Sequence, residues 1–263
     1  MGKATARPDG LILDMDGTLY LGEEPLPGAL EFVRRLEARG LPFLYLTNNS
    51  ARDAEAYVEK LRRLGFPAEP GQVLTSGEAT ALWLKQHHPG TRLFVLGTPS
   101  LRREFDRAGF ELSDGDADLV VLGFDMTLTY ERLAQACHLI RRGVPWIATH
   151  PDINCPVPEG FIPDAGAIAA AIVASTGVSP QAVIGKPSRF IYEVALERLG
   201  TTARRTAMIG DRLYTDVAGA REAGLIGVLV LTGEARREDL DGSPVQPDLV
   251  VEGVWELITQ WDL

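Results

Sequence analysis

Short apolar runs alternate with segments of helical period along most of the chain, and this alternation constrains the fold more than any other feature. Leu11-Ile12-Leu13 predicts a strand, and residues 26–39 predict a helix, because apolar residues recur on one face and Gly40 follows. Further strands are predicted at residues 43–46, 92–96, 119–122, 146–148, 183–184, 206–209 and 227–231. Further helices are predicted at residues 52–64, 80–86, 101–107, 130–140, 165–175, 190–199 and 214–222.

Some of the strand runs are apolar at every position rather than at alternate positions. Phe43 to Leu46 and Val228 to Leu231 are two such runs. A strand of this kind is typical of a parallel sheet whose two faces are both covered by helices. The sequence therefore predicts an α/β fold with a doubly wound parallel sheet.

Charge and hydrophobic content exclude several classes of partner. The net charge of −10 argues against a nucleic acid polymer or an anionic membrane as the main partner, although a small phosphorylated substrate remains compatible with it. No apolar run approaches the roughly 18 residues that a membrane span requires. Residues 1–8 lack the apolar core of a secretory signal, and Cys137 and Cys155 make no disulfide framework, so we expect a cytoplasmic enzyme with two free thiols that serve in packing.

Polar side chains follow four of the predicted strands, at the edge where ligands collect in open α/β sheets. The first strand is followed by Asp14 and Asp16, and the second by Thr47, Asn48, Asn49 and Ser50. The strand at 183–184 is followed by Gly185 and Lys186, and the strand at 206–209 by Gly210, Asp211 and Asp216. Carboxylates, one ammonium group, hydroxyls and amides at one sheet edge indicate a site for Mg²⁺ and phosphate.

The segment from Asp14 to Thr18 carries the most specific chemistry. In extended backbone, the side chains of Asp14 and Asp16 point the same way, Gly17 permits a sharp turn, and Thr18 can hydrogen-bond locally or to a carboxylate. We expect Asp14 to be a nucleophile that forms an aspartyl-phosphate, and Asp16 to act first as acid and then as base. Mg²⁺ takes hard oxygen ligands, which Asp14, Asp211 and a backbone carbonyl near Asp16 can supply.

Lys186 is predicted to neutralise both the phosphoryl group and Asp14. Simpler interpretations stay open at this stage. The two aspartates before Gly17 could form a turn and a helix cap, and Lys186 could be an ordinary solvated lysine. Asp216 could be a charge in the first turn of a helix, and Asn48 and Asn49 could be turn formers.

Four segments, in this order, resemble the motifs of the haloacid dehalogenase (HAD) superfamily of phosphatases. They are Asp14-Met15-Asp16-Gly17-Thr18-Leu19-Tyr20, Thr47-Asn48-Asn49-Ser50, Ile184-Gly185-Lys186-Pro187-Ser188 and Gly210-Asp211-Arg212-Leu213-Tyr214-Thr215-Asp216. Three more segments are similar to subfamily IIA, the NagD-like branch that includes p-nitrophenylphosphatase-like enzymes. These are residues 75–80, residues 123–130 and Pro163-Asp164-Ala165-Gly166.

The resemblance implies a Rossmann-like core, residues 1–79 and 181–263, interrupted by an inserted α/β cap domain of the C2 type, residues 80–180. It implies that Asp14 is nucleophile and metal ligand, that Asp16 ligates through its carbonyl, and that Asp211 ligates the metal. It further implies that Thr47 with Asn48 holds phosphate and that Lys186 bridges phosphate and nucleophile. Asp216 would orient Lys186 or a metal-bound water, and Asn49 is expected to bind substrate beside Thr47 and Asn48. A cap surface serves as a dimer contact in some proteins of this architecture, so a homodimer through the cap is one expectation.

One departure from the family pattern concerns the predicted cap. Family members often have Asn where this chain has His150, in Ala148-Thr149-His150-Pro151-Asp152. The loop at 150–160 is expected to face the leaving group, and we hypothesise that His150, Asp152 and Asn154 help to set specificity. The alternative is that they pack locally within the cap.

These features predict a Mg²⁺-dependent phosphatase that hydrolyses small phosphate monoesters, such as nucleoside monophosphates or sugar phosphates. The alternatives are a phosphotransferase or mutase of the same superfamily, and a non-catalytic metabolite-binding module. A nicotinamide oxidoreductase and a P-loop NTPase are disfavoured, because neither of their glycine-rich motifs is present.

Overall fold

The computed structural model describes residues 6–157 and 160–263, and these fall into two units. The first unit comprises the described residues up to 47 together with residues 55–74 and 186–263, and the second comprises residues 48–54 and 75–185. The sequence-based boundaries, after residues 79 and 180, differ from these limits by a few residues. The assignment of the two units as catalytic core and cap stays a prediction.

Strands and helices alternate along the chain as the hydrophobic pattern predicts. The strands are β1 Gly10–Leu13, β2 Tyr20–Leu21, β3 Glu24–Pro25, β4 Phe43–Thr47, β5 Val73–Thr75, β6 Leu93–Leu96, β7 Leu119–Leu122, β8 Trp146–Ala148, β9 Asn154–Val157, β10 Gly160–Pro163, β11 Thr206–Gly210, β12 Ile226–Val230 and β13 Leu249–Val251. The helices are α1 Ala29–Ala38, α2 Ala54–Arg63, α3 Ser76–His87, α4 Pro99–Arg107, α5 Tyr130–Arg141, α6 Ala165–Thr176, α7 Arg189–Leu199, α8 Ala218–Ala223 and α9 Val254–Gln260.

The first unit is built on a six-stranded sheet with the order β13-β12-β11-β1-β4-β5. Strand β1 lies between β11 and β4 and pairs in parallel with both, so that Leu11 is aligned with Ala207 on one side and with Phe43 on the other. Every residue of β1, β4 and β11 is buried. The continuous apolar runs are therefore explained by a parallel sheet that is covered on both faces.

The second unit contains a three-stranded parallel sheet, β6-β7-β8, and an antiparallel pair, β9 with β10. Alternate residues of the parallel strands enter two different apolar cores. Phe94, Val120 and Trp146 pack with residues of α5 and α6, whereas Val95, Val121 and Ile147 pack with residues of α3 and α4. Both faces of this sheet are therefore covered by helices, and the predicted α/β class is confirmed.

One predicted strand, residues 183–184, is wrong. Val183 forms only an isolated bridge with Ala148, and Gly185 N–H donates to the Thr149 carbonyl. The segment runs beside β8 for too few residues to form a strand, because the chain passes into the first unit at Lys186. The predicted helix at 214–222 is also divided, into a π-helical turn at Leu213–Val217 and α8.

Two further expectations concern the cysteines and the absence of a membrane-spanning helix. Cys137 lies on the buried face of α5, Cys155 is half-buried, and both are free thiols. Within the described residues, none of the helices combines the length and apolar character that a bilayer crossing requires. The expected cytoplasmic location stays a prediction.

Candidate active site

Asp14 lies immediately after β1, at the carboxyl end of the central sheet. Its N–H donates to the Ile209 carbonyl on β11 over 2.9 Å, which continues the parallel pairing one residue past the strand. The Asp14 carboxylate accepts hydrogen bonds from Thr18 Oγ1 at 3.2 Å and from Lys186 Nζ at 2.5 Å. A buried strand thus fixes the Asp14 backbone, and two donors fix its side chain.

The turn that follows Asp14 requires glycine for two reasons. Gly17 has a φ of +83°, a conformation that side chains rarely adopt. A Cβ at this position would also lie 2.5 Å from Asp211 Oδ2, and a Cβ at Gly233 would lie only 2.0 Å from the same atom. Two glycines therefore make room for the Asp211 carboxylate.

Lys186 connects Asp14 to the carboxylate of Asp216. Its ammonium lies 2.5 Å from Asp14 Oδ1 and 2.6 Å from Asp216 Oδ1, and only 3% of the side chain is exposed. Although burial disfavours the ammonium, the charges of Asp14 and Asp216 raise the pKa of Lys186 above its ordinary value. Lys186 is therefore a fully charged group between two carboxylates and not a solvated surface lysine.

Asp211 and Asp216 both reach the site from the end of β11. Asp216 lies in the π-helical turn, where its Oδ2 accepts from Arg212 N–H at 3.1 Å. A Cβ at Gly210 would lie 2.2 Å from Asp216 Cγ, so glycine is needed where the turn folds back on the strand. Burial raises the pKa of Asp216 to about 6, with Lys186 opposing the shift, and burial together with the charge of Asp14 raises the pKa of Asp211 well above its usual range.

Asp14, Asp211 and Asp216 form a carboxylate group that fits a divalent metal ion. Each offers one oxygen, and these oxygens lie within 4.8 Å of one another. Asp211 Oδ2 accepts from Glu234 N–H, whereas the buried Asp211 Oδ1 has no hydrogen-bond partner among the described residues. A buried oxygen without a donor is an atom that a cation would satisfy, and hard carboxylate oxygens suit such an ion. Of the predicted ligands, Asp14 and Asp211 lie in this group together with Asp216, while ligation by the backbone carbonyl of Asp16 stays a prediction.

Asp16 differs from this group because it is partly open to solvent, with a third of its side chain exposed. Tyr20 Oη donates to Asp16 Oδ2 at 3.3 Å, and Lys60 Nζ lies 3.9 Å from Asp16 Oδ1. Loss of hydration, assisted by the charge of Asp14, raises the pKa of Asp16 to about 6 against the opposing effect of Lys60. Lys60 was not predicted as a site residue. The signal that could have found it is a lysine among the apolar residues Tyr57, Val58 and Leu61 of one helix, where a charged side chain is unusual.

The predicted phosphate-binding residues belong to different units. Thr47 is the buried last residue of β4, two positions beyond Tyr45, which is aligned with Leu13 of β1. Asn48 belongs to the second unit and donates from Nδ2 to Asp152 Oδ1 at 3.0 Å, while Asn49 Oδ1 accepts from Ala51 N–H at 3.0 Å. Asn49 thus takes part in a local turn, which does not test substrate binding, and substrate binding by Thr47, Asn48 and Asn49 stays a prediction.

His150 and Asp152 lie in a buried polar group of the second unit that also includes Asp164. His150 is 0% exposed, with Nδ1 3.8 Å from Asp152 Oδ2 and Nε2 3.5 Å from Asp164 Oδ1. Neither ring nitrogen makes a hydrogen bond within the described part of the chain. Asn154 is exposed at the start of β9, and Pro158 and Glu159 of the predicted specificity loop lie outside the described residues. Substrate contact by this loop stays a prediction.

Comparison with known proteins agrees with this arrangement. Residues 11–111 match the haloacid dehalogenase-like hydrolase family, and residues 183–257 match a HAD-hydrolase-like family. An acid sugar phosphatase of Staphylococcus aureus is 38% identical over 250 residues, which is 95% of this chain and 96% of the relative. The 5'-nucleotidase YutF of Bacillus subtilis is 37% identical over 249 residues, 95% of this chain and 97% of the relative.

Solved structures give the same result. A 4-nitrophenylphosphatase from Thermotoga maritima has a TM-score of 0.92 and 48% identity, covering 96% of this chain and 97% of that protein. NagD from E. coli K-12 has a TM-score of 0.88 and 31% identity, covering 95% and 98%. The chain belongs to the haloacid dehalogenase-like hydrolase family. The resemblance to its NagD-like, subfamily IIA branch is confirmed, as is the prediction of a phosphoric monoester hydrolase.

Proposed function

We propose that this protein is a Mg²⁺-dependent phosphatase that hydrolyses small phosphate monoesters by way of an aspartyl-phosphate on Asp14. The observation that carries the proposal is the buried contact of Lys186 with Asp14, beside the carboxylates of Asp211 and Asp216. A carboxylate nucleophile divides a very slow hydrolysis into two easier steps. An ammonium at the same point offsets the negative charge that a phosphoryl group brings.

In the first step, a carboxylate oxygen of Asp14 attacks phosphorus, and the bond from phosphorus to the ester oxygen breaks. Asp16 donates its proton to that departing oxygen. A pKa of about 6 keeps a useful fraction of Asp16 protonated near neutral pH, which suits a general acid. Thr18 and Lys186 hold the Asp14 carboxylate in place during the attack.

In the second step, the ionised Asp16 takes a proton from a water molecule whose oxygen attacks phosphorus. The bond between phosphorus and Asp14 breaks, which releases inorganic phosphate and regenerates the Asp14 carboxylate. Asp16 is left protonated for the next ester. One carboxyl group thus serves as acid and then as base, because the proton that Asp16 gives up in the first step is recovered from water in the second.

Asp14 and Asp211 would hold the Mg²⁺ ion through their side chains, and Asp16 through its backbone carbonyl. Bound Mg²⁺ neutralises charge on the phosphoryl oxygens. Asp216 would serve mainly to hold Lys186, because its two oxygens already accept from Lys186 Nζ and from Arg212 N–H. We assign phosphate contacts to Thr47 and Asn48, as the family motif implies.

The substrate class is a small phosphorylated metabolite. Two relatives support this choice, since one is named an acid sugar phosphatase and the other a 5'-nucleotidase. We propose that the second unit is the C2-type cap that selects the leaving group, with His150 and Asp152 in its specificity region. A closing cap favours small molecules over phosphorylated proteins.

The test uses Asp14→Asn with Asp241→Asn as a matched control on an exposed aspartate. Release of alcohol and of inorganic phosphate is measured separately, with Mg²⁺ and with EDTA. We expect Asp14→Asn and EDTA each to abolish both products, while Asp241→Asn behaves as wild type. Retained hydrolysis in Asp14→Asn would refute the nucleophile. Release of alcohol without an equal amount of phosphate when an acceptor sugar is present would favour a phosphotransferase, and an inactive wild type would favour a binding module.

A further inference from the structure

Lys60 is a buried cation that the phosphatase mechanism described above does not use. It lies on α2, next to the apolar Val58 and Leu61, and the residue is only 8% exposed. Burying an ammonium is costly unless it meets a counter-charge or an aromatic face. Lys60 meets both, since its Nζ lies 4.0 Å from the centroid of the Tyr20 ring and 3.9 Å from Asp16 Oδ1.

Tyr20 is the second member of this arrangement. The residue is 0% exposed, and its hydroxyl donates to Asp16 Oδ2 at 3.3 Å. Each oxygen of the Asp16 carboxyl group therefore faces one protein group, Lys60 on one side and Tyr20 on the other. Asp16, Tyr20 and Lys60 all belong to the first unit, and two of them come from separate elements, β2 and α2.

We propose that Lys60 and Tyr20 are positioning residues that hold Asp16 in the orientation from which it protonates the leaving oxygen. This inference rests on the proposed function. The exposed third of the Asp16 side chain leaves it accessible to an ester, while the two contacts limit its rotation. A general acid misplaced by about 1 Å loses much of its effect, so positioning of this kind has a measurable kinetic consequence.

The consequence depends on the leaving group. The p-nitrophenolate ion is a stable anion and departs with little protonation, whereas phenolate is a poorer leaving group and depends more on the acid. The two esters have nearly the same shape, so a change in substrate binding affects both equally. A residue that acts through Asp16 will therefore affect phenyl phosphate selectively.

The experiment compares kcat/KM for p-nitrophenyl phosphate and phenyl phosphate in Lys60→Met and Tyr20→Phe. A positioned general acid contributes about 10²–10⁴-fold, so we expect Lys60→Met to lose about tenfold more on phenyl phosphate than on p-nitrophenyl phosphate. We expect about threefold for Tyr20→Phe, which removes one hydroxyl only. In both variants kcat should fall while KM stays near wild type, and Lys60→Arg should recover most of the loss.

Two controls and a double variant separate positioning from a structural role. Lys85→Met removes an exposed lysine, and Tyr45→Phe removes a buried hydroxyl that donates to the Pro67 carbonyl. Neither should change the ratio between the esters. In an Asp16→Asn background, Lys60→Met should cause no further selective loss, because the residue acts through Asp16.

An equal loss on both esters would overturn the inference, and so would a selective loss that persists in the Asp16→Asn background. If Lys60→Met does not fold, Tyr20→Phe and Lys60→Arg decide the question, and an unchanged ester ratio in Tyr20→Phe counts against it. Failure of the proposed function looks different. In that case the wild-type protein hydrolyses neither ester.

Discussion

Replacing Lys186 with Met tests the electrostatic organisation of the site. The substitution keeps most of the aliphatic stem but removes an ammonium that is 2.5 Å from Asp14 and 2.6 Å from Asp216. The two carboxylates that contact Lys186, Asp14 and Asp216, are then left without their cation, and an oxygen of the buried Asp211 carboxylate lies within 4.8 Å of both. Removing one partner of a buried ion pair costs about 3–5 kcal/mol, because the remaining charges cannot be hydrated. We expect a loss of stability of this size in metal-free buffer near pH 8.

The loss should shrink as the pH falls. Lys186 lowers the pKa of Asp216, so without it the folded-state pKa of Asp216 rises above about 6, further from its unfolded value of 3.8. A carboxyl group with a raised folded pKa binds more protons when folded, so the stability of Lys186→Met decreases as the pH rises from about 4 through that folded pKa. The difference from wild type should therefore be larger at pH 8 than at pH 5.

Urea unfolding in EDTA at pH 5 and pH 8 measures both effects, with Lys85→Met as the exposed-lysine control. That control should stay within about 0.5 kcal/mol of wild type. Addition of Mg²⁺ should stabilise Lys186→Met more than wild type, because the ion offers a replacement counter-charge. A penalty below about 1 kcal/mol at pH 8, or a penalty that does not depend on pH, would refute the reasoning.

Three further predictions concern other parts of the chain. Gly233→Ala should weaken Mg²⁺ activation of ester hydrolysis at least tenfold while leaving the far-UV circular dichroism unchanged, because its Cβ would displace Asp211 Oδ2; an unchanged Mg²⁺ titration would contradict this. Burial raises the pKa of Glu104 from 4.5 to about 8, so this group should lower wild-type stability by up to about 1.4 kcal/mol per pH unit between these values, and Glu104→Gln should reduce the slope by that amount in thermal unfolding at pH 5, 7 and 9. A slope equal to that of wild type in Glu104→Gln would contradict this prediction. His150→Ala should destabilise the protein by about 2–4 kcal/mol, because it leaves a cavity and two facing carboxylates, and it should change the relative kcat/KM across a panel of phosphate esters if the region sets specificity. An unchanged panel would limit His150 to a structural role.

Short-range interactions explain why the turn after Asp14 and the apolar pattern of the strands could be predicted from the sequence. Asp14, Gly17 and Thr18 form one short segment, and its turn depends on backbone conformation and on neighbours within a few residues. The positions of the apolar runs likewise depend on which faces of each strand are covered by helices, and a strand covered on both faces is apolar at every position. Both were predicted correctly because the interactions that decide them are short in range.

Errors arose where long-range packing decides the outcome. The run at 183–184 has the composition of a strand, yet its pairing depends on how long the chain stays beside β8. The short strands β5, β9 and β13 were missed because neighbouring segments, and not their own periodicity, make them pair. Asp216 could not be separated from an ordinary helix charge until the π-helical turn placed it against Lys186.

The sequence by itself determined the α/β class, the family and the identity of the residues that carry the proposed chemistry, because each of these depends on composition and spacing along the chain. Tertiary structure decided which residues meet. Lys186 is distant from Asp14 in the chain but lies 2.5 Å from it, and Lys60 on α2 reaches Asp16 beside β1. Such contacts depend on the order and register of strands in a sheet, and burial there then raises the pKa of Asp16, Asp211 and Asp216. No local pattern contains that information, because it arises only when the sheet has formed.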